Sequence, residues 1–374
     1  MFSYIIRRIL YAVPILFGVL VITFLLFYVV HTPRSMAFQI LGPKARPQQI
    51  QDWLHNRGFD KAMLIDLSGT RIGAAYARCV ELLSTIPKLY LRLTKHSLPT
   101  GGLKERLMDF AFPLTPGGRG TSIFDSQFFH HIKSLAVFDF GKSLKNDEPI
   151  IGMFKRGAIP SLLITVPAFF LGITLAIMVA LFLVFVRESL LDVTGTVLCV
   201  VSMSIPVMVY VIFGQWLFAT QWRYVPAFGF IPGGFSMLRF IALPVCIMAF
   251  AGIGSDIRMY RAIFLEEARN DYVRTAYAKG LSSRRVLLVH VLKNGMISLI
   301  TLVVSSLPLL IMGSLVIEDF FGIPGLGNMM INAIHSADFT VIMAEVYIGS
   351  LLFLFGLILT DICYAIADPR IRLN

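Results

Sequence analysis

Four stretches of this chain run longer than a bilayer-crossing helix requires without a single Asp, Glu, Lys or Arg: Ile9 to Pro33, Gly157 to Val186, Val193 to Trp222 and Asn294 to Ile317. About 30 Å of hydrocarbon is crossed by roughly 20 apolar residues in a helix. Two shorter runs, Phe240 to Ser255 and Val346 to Thr360, reach that length by tolerating flanking charges such as Asp256, Arg258, Glu345 and Asp361. The pattern predicts six transmembrane helices in an all-α, polytopic membrane protein. A single such run could be a buried helix of a soluble protein; six together could not.

Composition agrees. Of the 374 residues, 56% are hydrophobic and only 15% charged, against about a quarter charged in soluble domains. The mean hydropathy is +0.76. A soluble core of this size could not be coated with so little charge. The first run is too long for a secretory leader and lacks a small-residue cleavage site before the polar stretch, so it reads as an uncleaved span.

Basic residues near short loops fix orientation. Arg7 and Arg8 precede the first span, which places the N-terminus inside. The turn Arg187 to Asp192, the stretch Arg258 to Lys293 with its eight Lys and Arg, and the C-terminal Arg370 and Arg372 then also fall inside. Glu318 to Asp338 holds no Lys or Arg and falls outside, as does the loop Arg223 to Arg239 with two. The long segment His31 to Arg156 is rich in basic residues, but long translocated segments are exempt from the rule. Three regions result: 1–31, the cytoplasmic end and first span; 32–157, an external segment; and 158–374, a five-helix core with a cytoplasmic loop at 258–293. Within the external segment Gln48 to Gly58 reads as a helix, and Arg71 to Leu93 as an amphipathic one. The net charge of +11 is dispersed over several loops, with no nucleic-acid motif, and suits anionic lipid and acidic partners better.

Catalytic signatures are lacking. Cys79, Cys199, Cys246 and Cys363 stand apart without CxxC spacing, and His130-His131 has no third ligand. There is no Walker A, GxSxG or HExxH motif. The glycine cluster Phe321-Gly-Ile-Pro-Gly-Leu-Gly327 follows an apolar helix rather than a strand, so it is no dinucleotide loop. No metal or cofactor is expected on this chain, and any energy for work comes from a partner.

The informative stretch is Asn270-Asp-Tyr-Val-Arg-Thr-Ala-Tyr-Ala-Lys-Gly280. Asn270 or Asp271 suits a helix N-cap and Gly280 the left-handed position that ends a helix. The intervening residues, too few to span, place Tyr272, Val273, Ala276 and Tyr277 on one face and Asp271, Arg274, Thr275 and Lys279 on the other. Such a helix either lies in the lipid headgroups or docks its apolar face into a partner.

Asp271-Tyr-Val-Arg-Thr-Ala-Tyr-Ala-Lys-Gly-Leu-Ser282, with Arg284-Arg-Val-Leu-Leu288, resembles the EAA loop of ABC importer permeases in their dipeptide/oligopeptide branch. Tyr4-Ile-Ile-Arg-Arg-Ile9, Leu41-Gly-Pro43, Phe138-Asp-Phe-Gly-Lys-Ser-Leu144, Ser204-Ile-Pro206, Phe321 to Gly327 and Asp368-Pro-Arg-Ile-Arg372 are similar to that branch as well. The resemblance covers residues 1–60 and about 136–374. Arg274 replaces the first Glu of the EAA pattern, as is normal for the branch, and Tyr277 stands where Arg is commoner. Residues about 61–135 have no counterpart in it.

The resemblance implies a type I importer core of the methionine-permease kind, forming half of a channel in a bacterial inner membrane. It implies a second, similar permease, two cytoplasmic ATPases that carry ATP and Mg, and a periplasmic or lipid-anchored binding protein that delivers peptide. Asp271, Tyr272, Val273, Arg274, Thr275, Ala276, Tyr277, Ala278, Lys279, Gly280 and Leu281 would form the coupling helix that docks on an ATPase. Alternatives are nickel, glutathione or another small solute as cargo on the same scaffold. A membrane-embedded enzyme would need acid, base or metal ligands in one cluster, and Asp361, Glu318 and Asp319 are scattered. A proton-coupled transporter would need mid-membrane charge pairs, which are scarce. Pro160, Pro167, Pro206, Pro244 and Pro308 can kink the spans, whether as moving joints or as static shape. Ser202, Ser204, Gln215 and Glu345 are polar within spans and are candidates for the translocation path, with helix–helix hydrogen bonding as the competing role.

Overall fold

The computed structural model describes residues 10–12, 14–24, 37, 38, 40–42, 45–56, 132–135 and 137–367. Among these residues the regular structure is helical, with one isolated bridge between Lys142 and Pro149. The elements are α1 (Pro47–Asn56), α2 (Ile150–Phe185), α3 (Leu190–Ser204), α4 (Val207–Gln221), α5 (Gly234–Ala251), α6 (Ile253–Glu267), α7 (Asp271–Ala278), α8 (Leu292–Ile311), α9 (Leu315–Phe321), α10 (Leu326–His335) and α11 (Phe339–Ala367).

Three continuous helices are long and apolar enough to cross a membrane: α2, the stretch Ser283–Leu307 that leads into and includes most of α8, and α11. The pairs α3/α4 and α5/α6 each supply enough apolar length only when taken together, and both are bent. A shorter apolar helix covers Leu10–Phe24. The rest of the expected first span lies outside the described residues, as does the helix expected over Arg71 to Leu93. The helix expected from Gln48 is α1, although Gly58 also lies outside.

Two expectations need correction. Val193 to Trp222 is not one straight span: α3 and α4 meet at 93°. Pro206 has no N–H to donate and drives Ile205 out of the helical region, to φ −87° and ψ 123°. Tyr210 then donates its hydroxyl back across the corner to the Ser202 carbonyl at 2.9 Å, which fixes the bend. Likewise the run to Ile317 does not continue as helix. Gly313, at φ +74°, breaks it, and α9 begins on a Ser314 cap. The other membrane prolines behave differently, since Pro160 and Pro167 lie inside unbroken α2 and Pro244 inside α5. α5 and α6 bend by 47° at Gly252 instead.

The chain divides into two compact units, one built around Gly152–Asn332 with Ile348–Asn374, the other containing Ala333–Tyr347 and the chain before Gly152 from Pro14. In the first, α2, α3, α6, α7 and α8 share a core that includes Ala176, Leu183, Cys199, Phe264, Val286 and Leu299. Gly254 lets α6 lie against α3, because a Cβ there would meet the Cys199 carbonyl at 2.5 Å. In the second, the buried Asp338 carboxylate accepts from the Ser143 hydroxyl and the Leu144 amide. The Phe140 ring packs near Tyr347 there. The Phe138 to Leu144 motif is thus a clasp.

Candidate functional site

Helix α7 is short and tied at both ends. Asn270 stands at the N-cap, but its side chain does not cap. Its carbonyl starts the helix by accepting from Val273 at 3.0 Å, while its amide donates to Glu267. At the other end Gly280 takes φ +79°. Leu281 donates to the Ala276 carbonyl and Gly280 to that of Tyr277, the paired bonds of a Schellman stop. Tyr272 donates its hydroxyl to Glu267, which binds α7 back to the end of α6. Burial, and then that bond, push the Tyr272 phenol up from its ordinary value.

The helix divides its surface differently from the sequence expectation. Val273 and Ala276, 2% and 5% exposed, sit in the chain's own core with Val286, Val291 and Phe264. Tyr272 and Leu281 pack against that core. A partner therefore cannot receive the whole apolar face. What remains outside is Asp271, Arg274, Thr275, Tyr277, Ala278 and Lys279, with Gly280. Arg274 and Asp271 pair weakly at 3.8 Å with both side chains in solvent. Beside α7 lies a recess of about 500 Å³ whose lining includes Arg187, Arg269, Arg274 and Tyr277. Arg284 stands over the Phe185 ring at 6.0 Å. This is a cationic surface around a protruding aromatic ring.

Two buried acids, Asp192 and Glu318, were given no structural role by the sequence. Arg261 on α6 makes a two-pronged bond to Asp192 in the first turn of α3, at 2.9 and 2.7 Å. Their side chains are 23% and 8% exposed. An acid at the very start of an apolar run was the available signal. Glu318 on α9 is fully buried. Its carboxylate accepts backbone N–H bonds from Ser314 at 2.9 Å, Gly327 at 2.7 Å and Asn328 at 3.3 Å. Ser161 on α2 accepts from Leu326 at 2.8 Å. A Cβ on either Gly313 or Gly325 would strike Glu318 and Ser161. The glycine cluster is therefore a carboxylate cradle, and its spacing was the signal.

The path candidates are not brought together. Ser202 faces the Tyr210 hydroxyl at 3.0 Å across the α3/α4 corner, and Gln215 donates to the carbonyls of Ala227 at 3.0 Å and Phe320 at 3.4 Å. Both hold the bundle. Ser204 is exposed and donates to Val200 in its own helix. Glu345 is buried in the second unit.

A family model described as "Binding-protein-dependent transport system inner membrane component" matches residues 172–373, more than half of the chain. The chain belongs to this family. A second model, for the N-terminal part of the same membrane components, matches residues 1–76, so the likeness runs past residue 60, where the motifs stop. Relatives of this permease are 32% identical to it over 63% of its length in a putative peptide permease of Brucella suis, which it covers to 76%. They are 29% identical over 66% in the dipeptide transport system permease DppB of Bacillus subtilis (79% covered), and 30% over 66% in the oligopeptide transport system permease OppB of Escherichia coli (80% covered). The all-α, multi-pass architecture read from the apolar runs is that of an inner-membrane component. Among the described residues no three His, Cys, Asp or Glu are grouped to hold a metal.

Proposed function

We propose that this chain is one of two permease subunits of an ATP-driven importer of peptides, and that α7 is its contact with a cytoplasmic ATPase. The relatives' names supply the cargo class. The observation that carries the coupling role is the two-sided anchoring of α7: its inner side belongs to the permease core, and its outer side is free, cationic and aromatic. A helix held this way passes a push from outside into α6 and α8, whereas a loop would absorb it. ATP and Mg reside on the partner subunits, both termini are cytoplasmic, and 32–157 faces the binding protein outside. Closure of the ATPases on ATP draws the two coupling helices together and reverses the access of 158–374.

The decisive experiment uses the assembled complex of both permeases, ATPases and binding protein. Tyr277→Ala with Arg274→Ala alters only exposed side chains. Peptide-stimulated ATP hydrolysis falls about ten-fold, a barrier increase on the order of 1.4 kcal/mol, with the melting temperature unchanged. Full stimulation in that variant would remove α7 from the contact.

A further inference from the structure

Within the first unit, α2, α5, α6 and α8 line an open cavity of about 490 Å³. Its walls are largely apolar, yet one carboxylate, that of Asp256, lines it. No described residue hydrogen-bonds or ion-pairs with that carboxylate, and no Lys or Arg lines the cavity. An intramembrane carboxylate is costly unless it serves water, a counter-charge or a ligand. Its place in the first turn of α6 suits a helix N-terminus and offsets part of that cost.

The neighbouring hydroxyls sharpen the chemistry. Thr165 spends its hydrogen on the carbonyl of Ser161 or Leu310 (2.9 and 2.7 Å). Ser306 spends its own on Leu302 or Val303 (3.1 and 3.0 Å), and Ser255 on Gly252 (2.7 Å). All three line the cavity and have only lone pairs left to offer. One anionic group and three neutral acceptors thus share this pocket with the Tyr260 hydroxyl, which can donate or accept. Its complement is a cation with several N–H donors and modest size.

We infer that this cavity is a binding site for a primary ammonium group of the cargo, with Asp256 as counter-ion and Thr165, Ser255 and Ser306 as acceptors. A peptide's α-amino group, with three N–H donors, has that chemistry. The assignment to peptide rests on the function proposed above; the ammonium site itself does not.

Carbodiimide modification of Asp256 in the assembled complex, read by mass spectrometry as loss of the unmodified peptide so that any amide formed with the added amine is counted as well, separates the two. Methylammonium slows labelling at least about ten-fold, the order of effect of one good ion contact. Tetramethylammonium, which has no N–H, and sodium leave it unchanged. Equal protection by sodium or tetramethylammonium, or none by methylammonium, overturns the site. Protection by methylammonium but not by trialanine keeps the site and counts against the peptide reading. Asp256→Asn then lowers trialanine uptake per ATP at saturating binding protein, Asp256→Glu restores part of it, and the melting temperature of both matches the parent. Unchanged uptake in Asp256→Asn removes the residue from the path.

Discussion

At the scale of single residues, two buried acids hold this permease together by different means. Asp192 is neutralised by Arg261. Removing one partner of such a pair strands the other, at about 3 kcal/mol or more, while apolar replacement of both is far milder. Asp192→Ala should therefore lower the melting temperature of the complex sharply, and Asp192→Leu with Arg261→Met should recover most of it. Among the described residues no cation pairs with Glu318; backbone N–H groups surround it. Burial pushes its carboxyl upward from the ordinary glutamate range and those donors pull part of the way back. With the folded value raised, its contribution to stability is full below the unfolded pKa and is lost as pH rises through the folded one. Thermal scans of the parent should show that decline, and Glu318→Gln should flatten it. Gln also points N–H groups at N–H groups, which costs about 1–3 kcal/mol at any pH. The glycines around Glu318 were visible in the sequence, but their purpose was not. Spacing marks a tight turn; it cannot say that what Gly325 approaches is the carboxylate of Glu318.

Among the elements, α7 was the most legible and was still read with the wrong side outward in part. A helical wheel ranks residues by polarity, and Val273 and Ala276 do lie on its apolar side. Whether that side meets a partner or the chain's own α6 and α8 depends on tertiary packing, which a wheel does not contain. The distinction predicts opposite phenotypes. Ala276→Glu forces a charge into the core around Phe264, and the complex should lose stability and assembly together, as thermal unfolding would show. Tyr277→Ala should leave both intact and impair only coupling. The α3/α4 corner was missed for a related reason. Hydropathy measures apolar length and is blind to direction, although Pro206 stood in plain view. Pro160 and Pro167 show why a proline alone was insufficient: both sit inside an unbroken helix. What distinguishes Pro206 is the Tyr210 hydroxyl available to satisfy the turn.

For the whole molecule, the apolar runs carried the multi-pass architecture, because the bilayer imposes a length that any sequence must show. The orientation expected from the basic loops is open to direct measurement. In a variant with Cys79, Cys199, Cys246 and Cys363 replaced, a cysteine at position 279 should react with an impermeant maleimide only in inside-out vesicles. One at position 100 should react only in right-side-out cells or spheroplasts. Labelling of position 100 from the cytoplasm would invert the arrangement. Path residues stayed illegible because polarity inside a span is shared by groups that stitch helices, such as Ser202 and Gln215, and groups that meet cargo.

The glutamate cradle also sets an order on biogenesis. Ser161 is made early and Leu326 late, 165 residues apart, and their bond closes the same pocket that holds Glu318. Until the ribosome has delivered Gly327, a nascent chain holds Glu318 without its nearest donor, at 2.7 Å in the finished protein. Closure of the cradle therefore waits until most of the chain has been made, with α11 still to follow. A stalled chain long enough to carry Gly327 clear of the ribosome exit tunnel should be far less sensitive to membrane proteases than one in which Gly327 is still inside the tunnel.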